Sequence, residues 1–284
     1  MSSIASHSEP WISQTRSTAP QLSRVGQSLA RHGLVATYVS LLLGIPLLAL
    51  TTHALAGGPV GWWKAVTQPE ALRAIGLTVG CAALATLTSV LMGLATAWVL
   101  VRDTFPGKSM LNAIIDLPFA LPTVVAGVTF MTLYGPQSPL HVNLAGTWMG
   151  IVVALLFVTL PFCVRTVQPV LETRSWTAEV ASTSLGASQL RTFTQITLPS
   201  LLPSIATGAG LAFARAVGEF GSVVFISGNR PFHTEVGSAY IFMLTQSQNF
   251  DDAAAVSLAL MAIALAVIVI VTSWSRRVAK GIAQ

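Results

Sequence analysis

Charged residues interrupt this chain rarely, and the distances between them set its plan. The intervals Arg31–Lys64 and Arg73–Arg102 each hold enough apolar sequence for one membrane crossing, which takes about 20 residues of α-helix. The interval Asp116–Arg165 is too long for one crossing, and "YGPQSPLHVN" (134–143), with two prolines and an asparagine, divides it into two. A fifth span starts after Pro199 and runs past Arg215 and Glu219 towards Gly228, and a sixth lies between Asp252 and Arg276. The pattern predicts an all-α integral membrane protein with six transmembrane helices over 34–276. Residues 1–33 are serine-rich without an apolar period, and read as a disordered tail. Their composition is also that of a transit peptide, which keeps an organellar envelope membrane open. No cleavable leader is expected, because the first apolar run is long enough to span. Residues 277–284 form a short polar tail.

Composition agrees. Only 9% of the 284 residues are charged and 53% are hydrophobic, whereas soluble domains carry about a quarter charged residues. The net charge of +5 could suggest nucleic acid, but no basic stripe interleaved with aromatics exists. The basic residues instead flank the spans. With both termini cytoplasmic, the inner segments hold eleven of the fifteen (Arg16, Arg24, Arg31, Arg102, Lys108, Arg165, Arg174, Arg191, Arg276, Arg277, Lys280). The outer segments hold Lys64, Arg73 and Arg230, and Arg215 stays within a span. That bias predicts the orientation. Cys81 and Cys163 lie in apolar runs, and the histidines (7, 32, 53, 141 and 233) never fall at ligand spacing. No metal site, bound cofactor or catalytic constellation is expected.

Four local signals bear on function. "PGKS" (106–109) resembles the end of a phosphate-binding loop, but Arg102 stands where its first glycine is required and no strand precedes it. ATP, if used, is bound by another chain. "GLTVG" (76–80) has the small-residue spacing that lets helices approach, and reads as packing within the molecule. "ARAVGEFGSVVFISGN" (214–229) places Arg215 and Glu219 four residues apart, on one face of a helix inside the fifth span. Facing lipid would be costly for both, so they form either a buried ion pair or a polar patch on a translocation path that includes Asn229. "DLPFALPT" (116–123) interrupts a helix with Pro118 and Pro122, so Asp116 begins either a kink or a segment lining a path.

The polar stretch 172–198 joins two apolar runs. "SWTAEVASTSLG" reads as a short helix capped by Ser175 or Thr177, with Glu179 in its first turn and Gly186 as a left-handed stop. Trp176, Val180 and Leu185 give it a thin apolar stripe, and Leu198–Pro199 opens the next span. On these grounds alone it is either a docking element or an ordinary connection.

The stretch resembles the Glu-Ala-Ala ("EAA") loop of bacterial ABC importer permeases: Glu-Ala-Ala, three residues, Gly, nine residues, Ile, one residue, Leu-Pro. Gly186, Ile196, Leu198 and Pro199 match its spacing, while the Glu-Ala-Ala positions read Val180-Ala181-Ser182, with Glu179 one place early. The resemblance extends over 34–276 through "DLPFALPTVVAG" (116–127), "PFCVRTVQPVLE" (161–172), "GEFGSVVFISGN" (218–229), "TEV" (234–236) and the run after "FD" (250–251). These look like the T-type permeases of sulfate/thiosulfate importers.

The resemblance implies a type I (MetI-like) permease in a bacterial plasma membrane, embedded in membrane lipid. It implies a W-type permease partner, two ATPase subunits using ATP and Mg, and a periplasmic sulfate/thiosulfate-binding protein. Residues 179–199 would be the ATPase-docking loop. The alternatives are a permease for molybdate or another oxyanion, a secondary anion transporter without an ATPase, and a membrane enzyme, for which the needed cluster of acids, histidines or cysteines is missing.

Overall fold

The computed structural model describes residues 32–282, with side chains as far as residue 278. The tail expected over 1–33 therefore lies outside the described residues except for His32 and Gly33. The chain divides into two units at Ala49/Leu50. The first helix, α1 (His32–Ala54), bridges the division and contains a π-helical stretch at Ser40–Gly44. Its leucines, valines and tyrosine are exposed along the first unit.

The second unit is built from helices, with no strand among the described residues. In chain order these are α2 (Gly58–Val66), α3 (Pro69–Arg102), α4 (Lys108–Ala120), α5 (Thr123–Tyr134), α6 (Trp148–Thr173), α7 (Thr177–Ser184), α8 (Gln189–Val217), α9 (Gly221–Ile226), α10 (Gly237–Gln246) and α11 (Phe250–Ile282). Five helices are long and apolar enough to cross a membrane: α1, α3, α6, α8 and α11. The pair α4–α5, bent by 112°, makes a sixth if counted as one.

Helix boundaries follow from local chemistry. Pro69 starts α3, where its missing N–H costs nothing; Glu70 lies in the first turn and Arg102 in the last, each matching the helix dipole. Thr147 caps α6 by accepting the Gly150 N–H at 3.2 Å. Pro122 holds Leu121 extended, which ends α4.

Three spans differ from the sequence reading. The expected third crossing is two half-helices rather than one, because Leu121–Pro122 breaks it. The fourth crossing does not stop at Arg165 but continues to Thr173, since that arginine finds partners within the protein. The fifth ends at Val217, with Gly218 as its cap, instead of running towards Gly228. Its start also moves: helix begins at Gln189, ten residues before Pro199, and passes through a π stretch at Phe193–Thr197. A proline cannot donate to the carbonyl four residues back, and the wider π turn takes up that mismatch. At the other end of the chain, α11 runs on to Ile282.

Small residues let α3, α6 and α8 approach closely. A Cβ on Gly93 of α3 would lie 2.6 Å from Cys163 Cβ on α6, and one on Gly208 of α8 would lie 2.3 Å from Thr166 Oγ1. Ser89 and Thr159 share a buried hydrogen bond of 2.7 Å between α3 and α6. Such contacts replace the hydrophobic drive that helices lack in lipid. Gly76 and Gly80 do not take part, for a Cβ on either meets nothing within 4 Å. The half-helices α5 and α9 also pack tightly: a Cβ on Gly127 would lie 2.6 Å from the Gly221 carbonyl.

This closeness is testable by a pair of substitutions. Gly127→Ala must push α5 off α9 and is expected to cost about 1–3 kcal/mol. Gly76→Ala meets open space and should stabilise α3 by up to about 1 kcal/mol through helix propensity. Thermal unfolding in lipid nanodiscs compares them; equal midpoints would remove the close approach from this account.

Candidate functional site

Helix α7 is short, and its ends are set by hydrogen bonds. Trp176 occupies the N-cap without a side-chain cap, while Ser175 Oγ accepts the Thr177 N–H at 3.4 Å. At the far end Gly186 has φ +84°. Its N–H reaches the Thr183 carbonyl at 3.0 Å, and the Ala187 N–H reaches the Ser182 carbonyl at 3.1 Å. This pair of bonds closes a helix through a left-handed glycine.

The helix has two different faces. Glu179 is 8% exposed and Val180 61%, because one residue turns an α-helix by about 100°. Position 180 therefore lies on the outer face and position 179 on the inner one. There the carboxylate is held from three sides. Oε2 accepts from Arg102 Nη2 at the end of α3. Oε1 accepts from Thr197 Oγ1, at 2.5 Å, in the π stretch of α8. Arg174, the cap of α6, brings Nη1 to 3.3 Å of Oε1 as an ion pair without hydrogen-bond alignment. The Arg102 guanidinium lies 3.7 Å from the centre of the Trp176 ring and 4.6 Å from that of Trp98, a favourable place for a cation. Ser182, one turn on, meets Thr192 at 3.0 Å.

A cleft of about 510 Å3 opens here, lined by Trp98, Arg102, Trp176, Glu179, Thr192 and Phe193 among others. The outward side carries exposed Val180, Leu185 and Leu190, and Ala181 is exposed as well. Trp176 is thus not part of one stripe with Val180 and Leu185; it faces inward onto Arg102. Ile196 and Leu198 are half-buried, the Ile196 carbonyl lies 3.5 Å from Arg174 Nη2, and Pro199 follows the π stretch.

The second group of sequence-predicted residues is divided. Arg215 and Glu219 do pair, at 2.6 Å, but Glu219 is not inside the helix with Arg215. It lies past the end of α8, in the break before α9, where its side chain is 1% exposed. Its Oε1 accepts the Ser222 N–H at 2.8 Å and its backbone carbonyl accepts the Ser238 hydroxyl at 2.7 Å. Glu219 thus organises the break, while Arg215 remains 34% exposed. Asp116 receives both Nε and Nη2 of Arg165 at 2.7 Å. The remaining Arg165 donors go to Asn112 and Gln168. Asn229, at φ +44°, holds the turn after α9 through its bonds to Ser227 and the Val224 carbonyl. Among the described residues these four candidates form two ion pairs and a turn instead of a single patch.

Sequence reasoning missed Arg102, Arg165, Arg174 and Thr197 as site residues. The arginines served only as topology charges, although an arginine beside a tryptophan within an apolar run, as at Trp98–Arg102, was a usable signal. It also missed Glu235, which is buried with Oε2 unpartnered among the described residues. Burial, and then the charge of Glu70, push that carboxyl above its ordinary range.

Helices of this length and composition, small-residue packing between them and a braced polar helix connecting two spans define a multi-pass membrane permease. Residues 89–283 match the family described as the binding-protein-dependent transport system inner membrane component, and the chain belongs to it. The sulfate transport system permease protein CysT of Salmonella typhimurium is 39% identical over 235 residues, covering 80% of this chain and 85% of that protein. CysT of Synechocystis is 38% identical over 252 residues, covering 85% and 88%. The fold is that of a chain in a bacterial alginate ABC transporter solved with an alginate-loaded periplasmic protein (TM-score 0.74, 18% identity, 91% of this chain and 97% of that one). The MetNI methionine ABC transporter matches less closely (TM-score 0.54, 15% identity, 75% and 96%).

The Arg215–Glu219 pair yields a prediction. Arg215→Ala leaves a buried carboxylate with one backbone N–H, and is expected to cost about 2 kcal/mol, below the roughly 3–5 kcal/mol of fully buried pairs because Arg215 is partly exposed. Adding Glu219→Ala should recover part of that loss. Denaturation of the single and double variants measures it, and additive losses would show that the pair is not coupled.

Proposed function

We propose that this chain is the T-type permease subunit of an ATP-driven importer for sulfate or thiosulfate. The observation that carries the reading is the likeness to sulfate permeases along four-fifths of the chain. The chain forms half of the translocation path with a W-type permease and has no catalysis of its own. Two ATPase subunits hydrolyse ATP with Mg, and a periplasmic binding protein delivers the anion. The protein sits in a bacterial inner membrane with both termini cytoplasmic, in keeping with the asymmetry of its arginines and lysines.

The outward face of α7, with Val180, Ala181 and Leu185, is the surface that seats on the ATPase. Its neighbours Glu179 and Ser182 hold it from within, and Gly186 turns the chain towards α8, which carries Ile196, Leu198 and Pro199. Arg215 is the cation offered to a passing anion, since its guanidinium is only partly committed to Glu219.

The reading is tested by labelled sulfate uptake in cells lacking their own importer, supplied with this chain, both partner subunits and the binding protein. Uptake that requires ATP and is blocked by thiosulfate but not molybdate is expected. An assembled complex that moves no sulfate would overturn the substrate assignment, and competition by molybdate would favour the broader oxyanion alternative.

Gly186 supplies a second test. Any L-residue at its positive φ costs roughly 1–2 kcal/mol, and asparagine costs least. A Cβ there meets nothing within this chain, so dependence on side-chain size must come from a partner. Gly186→Asn should therefore transport nearly as well as the parent, and Gly186→Leu should stay in the membrane but lose uptake. Equal losses for Gly186→Ala and Gly186→Leu would reduce the role of Gly186 to backbone strain.

A further inference from the structure

Helix α7 is joined to its flanking spans through two soft joints. On one side Arg174 is extended (φ −74°, ψ 137°), and on the other Gly186 is left-handed. By covalent connection alone it could swing, and it would pull only on α6 and α8. Helix α3 is not its chain neighbour: Arg102 and Glu179 are 77 positions apart. Yet Arg102 is the last residue of α3, and its guanidinium is held by the Glu179 carboxylate and by the indole of Trp176 at the start of α7.

We propose that Arg102 is a positioning residue that ties the docking helix α7 to α3, so that movement imposed on α7 is delivered along α3 to the opposite end of the molecule. This rests on the docking role given to α7 above. Three observations support it. Glu179 is buried and uses both oxygens, so α7 cannot tilt without depriving that carboxylate of its partners. The same carboxylate grips Thr197 of α8 and lies against Arg174 of α6, so three spans share one anchor. Helix α3 is continuous over 34 residues, is locked to α6 at Gly93 and Ser89, and at its far end Thr78 Oγ1 accepts the Gly237 N–H at 2.7 Å, where α10 begins. A push on Arg102 therefore has a rigid route to the α10 end, whereas the chain path to it passes through the break at Gly218–Phe220.

The test uses the whole complex in proteoliposomes: this chain, the partner permease, the ATPase and the binding protein. Two ratios are read: sulfate imported per ATP hydrolysed, and the factor by which sulfate-loaded binding protein accelerates hydrolysis. Simple loss of folding or assembly lowers uptake and hydrolysis together and leaves the first ratio unchanged. Arg102→Ala is expected to lower both ratios by about tenfold, within the usual range of coupling between sites. Arg102→Lys should restore part of the loss, and the exchanged pair Arg102→Glu with Glu179→Arg more than Arg102→Glu alone. Unchanged ratios for Arg102→Ala would overturn the proposal. If that variant does not assemble, Glu179→Gln takes its place; it keeps the shape and removes the charge, and unchanged ratios would again overturn it. A parent complex that hydrolyses ATP but neither moves sulfate nor responds to sulfate-loaded binding protein would sink the substrate assignment alone, and both ratios would then be read with thiosulfate or molybdate.

Discussion

Hydrocarbon offers no hydrogen-bond partners, so a chain of this composition can leave helical geometry inside a membrane only where its own protein covers the freed backbone. The breaks of this permease obey that constraint in pairs. Helix α4 gives way to α5 at Leu121–Pro122, and α8 gives way to α9 at Gly218–Phe220. The half-helices that follow, α5 and α9, lie against each other so closely that neither Gly127 nor Gly221 has room for a Cβ. The segment that follows each break thus packs against the segment that follows the other.

The same constraint governs charge. Three carboxylates at breaks or span ends, those of Asp116, Glu179 and Glu219, are each neutralised by a guanidinium. None faces lipid alone, which would be costly. The pairs differ in how far the arginine is committed. Arg165 spends its donors on Asp116, Asn112 and Gln168, a structural knot that closes α4 onto α6. Arg102 joins charge to two indoles. Arg215 gives one nitrogen to the Glu219 carboxylate, which also accepts a backbone N–H, and stays partly exposed.

Helix α3 organises the rest. Most of its buried residues are small, with Ala82, Ala85, Ser89, Gly93 and Ala97 among them, which allows close packing along α6. The fold is shared with a polysaccharide transporter chain at 18% identity.

The sequence by itself determined the class, five of the candidate spans and the place of the polar helix. Each follows from a property of short stretches: the length of an uncharged run, the extended preference before a proline, the left-handed freedom of Gly186. Arg102, Arg165 and Arg174 were visible only as charges near span ends. The tertiary structure decided what they touch, because pairs such as Arg102–Glu179 and Arg165–Asp116 join residues 77 and 49 positions apart. It also decided which way Glu179 faces. Neighbouring positions on a helix point about 100° apart, which makes Glu179 an internal anchor while Val180 faces outward.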